Sequence, residues 1–342
     1  MDVTQLLAQA VRAGASDLHL AAGEVPALRL EGRLRPMTLP QLTPGQMDEL
    51  LAQLMSTAQQ KDFETHLDID FAFAVPALAR FRVNAFQQHQ GAAAVLRVIP
   101  AQVSSLSELG LGDVFRQIAE LPGGLVLVTG PTGSGKSTTL AALVDHLNRE
   151  RPLHIVTLED PIEFIHRSQR SRISQREIGR HSHGFAQALR AALRQDPDVI
   201  MLGELRDPQT IRLAMTAAET GHLVLATVHT GSAAKTVDRL VDVFAAEEKQ
   251  LVRAMLAEAL QAVVSQVLIE RVGGGRVAAH EVLLATPAVR NLIREGKVAQ
   301  LQSVIQTGGA QGMQTLEGCL QDLVHRGLVS PDSAQERAPG RF

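Results

Sequence analysis

The octet Gly130-Pro131-Thr132-Gly133-Ser134-Gly135-Lys136-Ser137 constrains this chain more than any other stretch. It follows the apolar run Leu125-Val126-Leu127-Val128 and precedes Thr138-Thr139-Leu140-Ala141-Ala142-Leu143-Val144-Asp145-His146-Leu147, whose apolar residues recur at helical spacing. That context is strand, glycine loop, helix. Three glycines let the backbone turn tightly enough for several N–H groups to converge on one polyphosphate, and the helix N-terminus adds the positive end of its dipole. Lys136 supplies a charge to the β- and γ-phosphates, and the Ser137 hydroxyl can ligate Mg²⁺. A chain built around such a segment binds a nucleoside triphosphate.

At 342 residues there is room for two domains, each with its own core. Lys+Arg 33 against Asp+Glu 36 gives a net charge of −3, hence no bulk basic field, and Trp and Tyr are absent. Without charge or stacking platforms, nucleic acid is not an expected partner. Cys319 is the lone cysteine, so neither a disulfide framework nor a cysteine zinc site can be built within one chain, and a reducing compartment is expected. The N-terminus lacks a basic region before an apolar core, and no apolar run approaches the roughly 20 residues of a spanning helix. The expectation is a cytoplasmic protein, able to dock on a membrane protein.

Taken in order, residues 4–13 have helical spacing, and Ser16-Asp17-Leu18-His19-Leu20 alternates. Residues 27–34 read as two short strands around a Glu-Gly turn, and a second helical stretch lies near 44–60. Strand patterns at 68–73, 79–86 and 92–99 complete a small α+β domain over 1–99. Residues 100–112, punctuated by Pro, Ser and Gly, read as a linker. From 113 onward strands and helices alternate: strand 125–129, helix 136–149, strand 154–158, helix 183–195, strand 199–202, helix 208–220, strand 223–228. That rhythm predicts a parallel sheet covered on both faces, with the ligand at the carboxyl ends of its strands. Beyond Glu247 the pattern predicts helices, with Leu251, Met255, Leu256, Leu260, Val263, Val264, Val267 and Leu268 on one apolar face. Another helix starts at Thr286-Pro287, and 330–342 reads as a polar tail.

Chemistry-bearing residues stand just after the strands. Glu159-Asp160-Pro161-Ile162-Glu163 places three carboxylates in five residues, either a solvated acidic turn or part of a site. Val199-Ile200-Met201-Leu202 runs into Gly203-Glu204-Leu205-Arg206-Asp207, resembling a Walker B segment that delivers a carboxylate to metal and water. Gly203 stands where many P-loop proteins have the metal aspartate, so a metal leans on Ser137, the phosphates, water and Glu204. His222 and His229 bracket the strand 223–228. They make a poor zinc site, and the default is a structural pair, though His229 and Thr230 could reach a γ-phosphate. In Arg80-Phe81-Arg82-Val83 the period of two puts both arginines on one face, as solvated surface or as an anion clamp that Arg97 could join.

Together these segments resemble the secretion-superfamily ATPases, most closely the type IV pilus retraction motors of the PilT family. The resemblance covers nearly the whole chain. Residues 14–20 are similar to that family's N-terminal signature, 130–139 to its Walker A, 159–163 to its acidic box, 203–207 to its atypical Walker B and 221–230 to its histidine box. Residues 288–295 match the late helix associated with retraction. The resemblance implies a RecA-like P-loop core over 113–342 with a helical C-terminal region, a PAS-like N-terminal domain over 1–99, and a homohexameric ring with ATP between subunits. Gly130, Pro131, Thr132, Gly133, Ser134, Gly135, Lys136, Ser137 and Thr138 become the nucleotide-binding residues. Arg80, Arg82 and Arg97 become candidate arginine fingers acting across the interface. Glu163 becomes the first candidate to orient or deprotonate water, and Glu204 the metal and water partner, with exchangeable roles. His229 joins the catalytic candidates.

Two departures stand out: Leu205 replaces a more usual methionine, and Gln195-Asp196 stands where a Glu-Asp pair is common. The tetracysteine module of type II secretion motors and the long N-terminal domain of assembly motors are missing, which favours retraction. The resemblance therefore implies a motor that spends Mg·ATP on pilus retraction, peripheral at the bacterial inner membrane. Its partners would be an inner-membrane pilus platform protein and possibly an accessory ATPase. The rivals are an assembly or accessory motor, a RecA-like nucleic-acid translocase, and a regulatory nucleotide-binding module with negligible turnover.

Overall fold

The computed structural model describes residues 2–30, 32–99 and 102–337. The chain divides into two compact units, Met1–Gln102 with Pro161–Ile165, and Val103–Asp160 with His166–Phe342.

In the first unit, α1 (Val3–Arg12) buries Val3, Leu6, Leu7 and Ala10, the helical spacing that the sequence shows, and Asp2 caps it by accepting the Thr4 N–H. Strands β1 (Asp17–Ala21), β2 (Ala27–Leu30) and β3 (Arg33–Pro36) follow. Glu31, in the expected Glu-Gly turn, lies outside the described residues. The helical stretch near 44–60 is two helices, α2 (Pro44–Leu54) and α3 (Thr57–His66). The chain breaks at Met55-Ser56 because Ser56 forms a reciprocal capping box with Gln59 and starts a new helix. Strands β4 (Asp68–Val75), β5 (Ala79–Gln88) and β6 (Gly91–Ile99) close an antiparallel sheet of order β3-β2-β1-β6-β5-β4. On β5 the period of two holds: Ala79, Phe81, Val83 and Ala85 are buried, and Arg80 and Arg82 share the other face.

The second unit runs α4 (Asp113–Ala119), β7 (Gly124–Thr129), α5 (Lys136–Glu150), β8 (His154–Glu159), β9 (Arg172–Glu177), α6 (Phe185–Ala192), β10 (Val199–Leu202), α7 (Pro208–Glu219) and β11 (Leu223–Val228). Then come α8 (Ala233–Asp242), α9 (Lys249–Ala259), β12 (Leu260–Glu270), β13 (Arg276–Leu284), α10 (Pro287–Arg294), α11 (Leu301–Thr307), α12 (Leu316–His325) and α13 (Pro331–Arg337). The sheet order is β13-β12-β7-β11-β10-β8-β9, parallel from β12 to β9 with β13 antiparallel at one edge. Residues of α4 and α5 pack with one set of inward-facing side chains, and those of α6 through α9 with the other. Both faces are covered, which is why β7, β10 and β11 are apolar along nearly their whole length.

Three expectations need correction. Residues 260–268 are not helix but the start of β12, which pairs with β7 on one side and β13 on the other. A strand buried on both faces carries no polar alternation, so its apolar run reads like the continuation of α9. Leu251, assigned to the apolar face, is 56% exposed. Part of the expected polar tail is α13, while 338–342 lie outside the described residues. Of the expected linker, Pro100 and Ala101 also lie outside them, and Leu106 and Leu111 are buried in the second unit's core.

Candidate functional site

The sheet order β7-β11-β10-β8 brings the segments after four strands side by side at one edge of the parallel sheet. After β7 the glycine loop adopts φ of +145° at Gly130, +78° at Gly133 and +88° at Gly135, left-handed values that side chains resist. No side chain caps α5, whose first-turn N–H groups begin at this loop. An uncapped N-terminus of a 15-residue helix, flanked by a buried lysine, fits a polyphosphate.

Lys136 is 8% exposed, and its Nζ donates to Gly130 O at 2.8 Å and Pro131 O at 3.0 Å. It also meets His229 Nδ1 at 3.2 Å. An ammonium has only donors, so Nδ1 accepts, and the ring proton stands on Nε2, 3.2 Å from Glu204 Oε1. Arg206 holds the other oxygen, Glu204 Oε2, at 2.7 Å. Burial works against ionisation of Glu204, but the Arg206 hydrogen bond and the nearby His229 outweigh it and hold the carboxyl below the usual range. Lys136, His229, Glu204 and Arg206 thus form one polar chain across β7, β11 and β10. Beneath it, Thr129 Oγ1 donates to Thr230 O at 2.5 Å, and the Thr230 hydroxyl lies 2.6 Å from that of Thr236. These contacts tie the end of β7 to the loop after β11.

The three carboxylates after β8 go separate ways. Glu159 is buried and accepts from Thr157 Oγ1 at 2.6 Å and Gln175 Nε2 at 3.1 Å, whereas Asp160 is exposed. Glu163 belongs to the first unit, where Arg82 Nη1 reaches its Oε1 at 3.2 Å. Arg82 also grips Asp70 at 2.8 Å and 3.2 Å, and this pairing, reinforced by Glu163, raises its pKa further. Arg80 donates twice to Ile162 O, at 3.2 Å and 3.0 Å. Arg97 Nε meets the buried Asp17 at 3.0 Å. All three arginines are therefore engaged within their own unit.

Gln266 on β12 escaped the sequence reading. It is 2% exposed, its Nε2 donates to Ser134 O at 2.6 Å, and its Oε1 accepts from Thr139 Oγ1 at 2.7 Å. The available signal was the Ser265-Gln266 pair inside an apolar run, since buried polar groups demand partners. Ser134 Oγ, by contrast, is buried without a hydrogen-bond partner among the described residues and is turned against Gly130.

The type II/IV secretion system protein model matches residues 1–330. The chain belongs to that family. Within it, the chain is 59% identical over 338 residues to the type IV pilus retractation ATPase PilT of Pseudomonas aeruginosa, covering 99% of this chain and 98% of the relative. It is 55% identical over 314 residues to a twitching motility protein of Neisseria gonorrhoeae, covering 92% and 84%. Among solved structures, the pilus retraction motor PilT with bound ADP superposes with a TM-score of 0.89 at 43% identity, covering 99% of this chain and 97% of that one. The mixed α/β fold with its RecA-like core is that of the secretion-family ATPases, and the chain is an ATPase of this family. No helix among the described residues is long and apolar enough to cross a membrane.

Proposed function

We propose that this chain is a ring-forming motor that couples ATP hydrolysis to retraction of type IV pili, working in the cytoplasm against an inner-membrane platform protein. The observation that carries the reading is the Lys136–His229–Glu204 chain at the carboxyl ends of three adjacent strands. Phosphate is a stronger partner for an ammonium than neutral carbonyls, so an arriving triphosphate competes for Lys136 and releases His229 Nδ1. The presence of the terminal phosphate thereby reaches Glu204 and the loop after β10. Gly130 through Thr138 hold the phosphates. Ser137 and Glu204 are the residues that would hold Mg²⁺, which supplies charge neutralisation to the phosphates when bound.

Glu204, with its depressed pKa, is ionised at neutral pH and suited to the metal and water. Glu163 is the further candidate for orienting water. Arg80, Arg82 and Arg97 are assigned to a neighbouring subunit's nucleotide, where a cation in trans is worth about 10³–10⁵ in rate. In this reading residues 1–99 are a PAS-like domain and 113–342 the ATPase domain of a homohexamer. The close match to a retraction ATPase over nearly the full length favours retraction over assembly.

The test is a count of surface pili on cells of the source organism lacking the gene, against cells carrying Lys136→Ala. Both should be heavily piliated and unable to pull. Bald cells would reverse the direction of work, and unchanged pili would leave the protein an accessory.

A further inference from the structure

Strand β12 lies hard against the glycine loop. A Cβ built on Gly130 would stand 2.2 Å from the Gln266 carbonyl oxygen, and one on Gly135 would stand 2.8 Å from Gln266 Nε2. These two glycines answer to close approach by one residue as well as to backbone conformation. Between them, the Gln266 carboxamide is held at both ends. Its nitrogen donates to Ser134 O, and its oxygen takes the Thr139 hydroxyl and faces His280 Nε2 at 3.2 Å. Burial pulls the His280 pKa down to about 4, so at neutral pH the ring is uncharged and its Nε2–H can donate to Gln266. Thr139 lies on α5 and His280 on β13, so three elements fix the orientation of one amide.

A peptide is planar and trans, so its C=O and the following N–H point in opposite directions. Holding Ser134 O toward β12 turns the Gly135 N–H away from β12. That peptide flips by rotation about Ser134 ψ and Gly135 φ, and glycine at the second position would otherwise leave it free to do so, offering phosphate a carbonyl in place of a donor. We propose that Gln266 is a positioning residue for the phosphate loop, locking the Ser134–Gly135 peptide so that its N–H faces the polyphosphate. The role rests on the ATP-binding reading of the loop and adds to it a residue 132 positions away in sequence.

The experiment compares steady-state ATP hydrolysis by full-length wild type, Gln266→Met, Thr139→Val and Lys136→Ala. Methionine keeps the length and apolar contacts while removing donor and acceptor. The N–H contacts ATP in ground and transition states alike, so Gln266→Met should raise KM about tenfold with kcat within about twofold. Thr139→Val, which removes one of the two partners of the amide oxygen, should raise KM about threefold, and it decides the matter if Gln266→Met yields no soluble protein. An unchanged KM, or a fall in kcat at unchanged KM, would overturn the positioning role, because lost folded protein lowers only the apparent kcat. Wild-type turnover by Lys136→Ala would instead sink the ATP-loop reading and the positioning role with it.

Discussion

His280 shows what one side chain contributes by being sealed in. It is 5% exposed, its ring meets Phe115 edge-on at 4.9 Å, and burial alone pulls its pKa from 6.5 to about 4. The unfolded chain takes up the proton near pH 6.5, while the folded protein resists it until about pH 4. The stabilising difference is therefore complete above pH 6.5, falls as pH drops through the window, and levels off below 4. A depression of this size corresponds to roughly 3 kcal/mol. Urea midpoints from pH 7 to pH 4 should fall less steeply for His280→Gln than for wild type. Parallel slopes would mean that His280 does not carry the acid sensitivity. Lys136 and Glu204 were legible one by one because each sits at a fixed step from a glycine or an apolar strand. The contact of His229 with both was not, since it depends on β11 lying between β7 and β10.

Helix α10 shows an element whose ends follow from local sequence while its side-chain partners do not. Thr286 caps it by accepting the Val289 N–H, Pro287 fills the first turn, and Val289 and Ile293 are buried, all as their spacing implies. Arg290, however, turns back to α9, where its Nη1 bonds Ala257 O and donates to Glu258 O at 2.7 Å and its Nη2 reaches Gln261 Oε1 at 3.1 Å. Arg294 pairs with Glu258 at 2.5 Å. Arg290 thus covers the carbonyls at the end of α9, where a cation also meets the negative end of the helix dipole. Arg290→Ala should cost about 1–2 kcal/mol, read as a lower denaturant midpoint, because it strips charge-assisted hydrogen bonds from half-buried carbonyls. A midpoint equal to wild type would show that water replaces the arginine there. Asn291, by contrast, bonds within its own helix, donating to Glu295 Oε1 at 2.9 Å.

For the whole molecule, the hydrophobic clusters of the two units share no residue: one is built from positions between Val3 and Leu96, the others from Leu106 onward. A fragment of residues 103–337 should fold and bind ADP by calorimetry, yet hydrolyse ATP at least about 10³-fold more slowly, because it lacks Arg80, Arg82 and Arg97. Hydrolysis at the full-length rate would remove those arginines from turnover. What the amino-acid order determined unaided was whatever depends on near neighbours. The strand–glycine loop–helix unit, the alternation of β5, the caps of α1 and α10 and the α/β rhythm after 113 all follow from spacing and backbone freedom. Tertiary structure alone decided three things. It made 260–270 a strand, because an apolar run is helix or strand according to what covers it. It parted Glu159 from Glu163, because the chain between them passes from one unit to the other. It placed Gln266 against Ser134, because a buried amide declares its partner only when a distant strand is laid alongside.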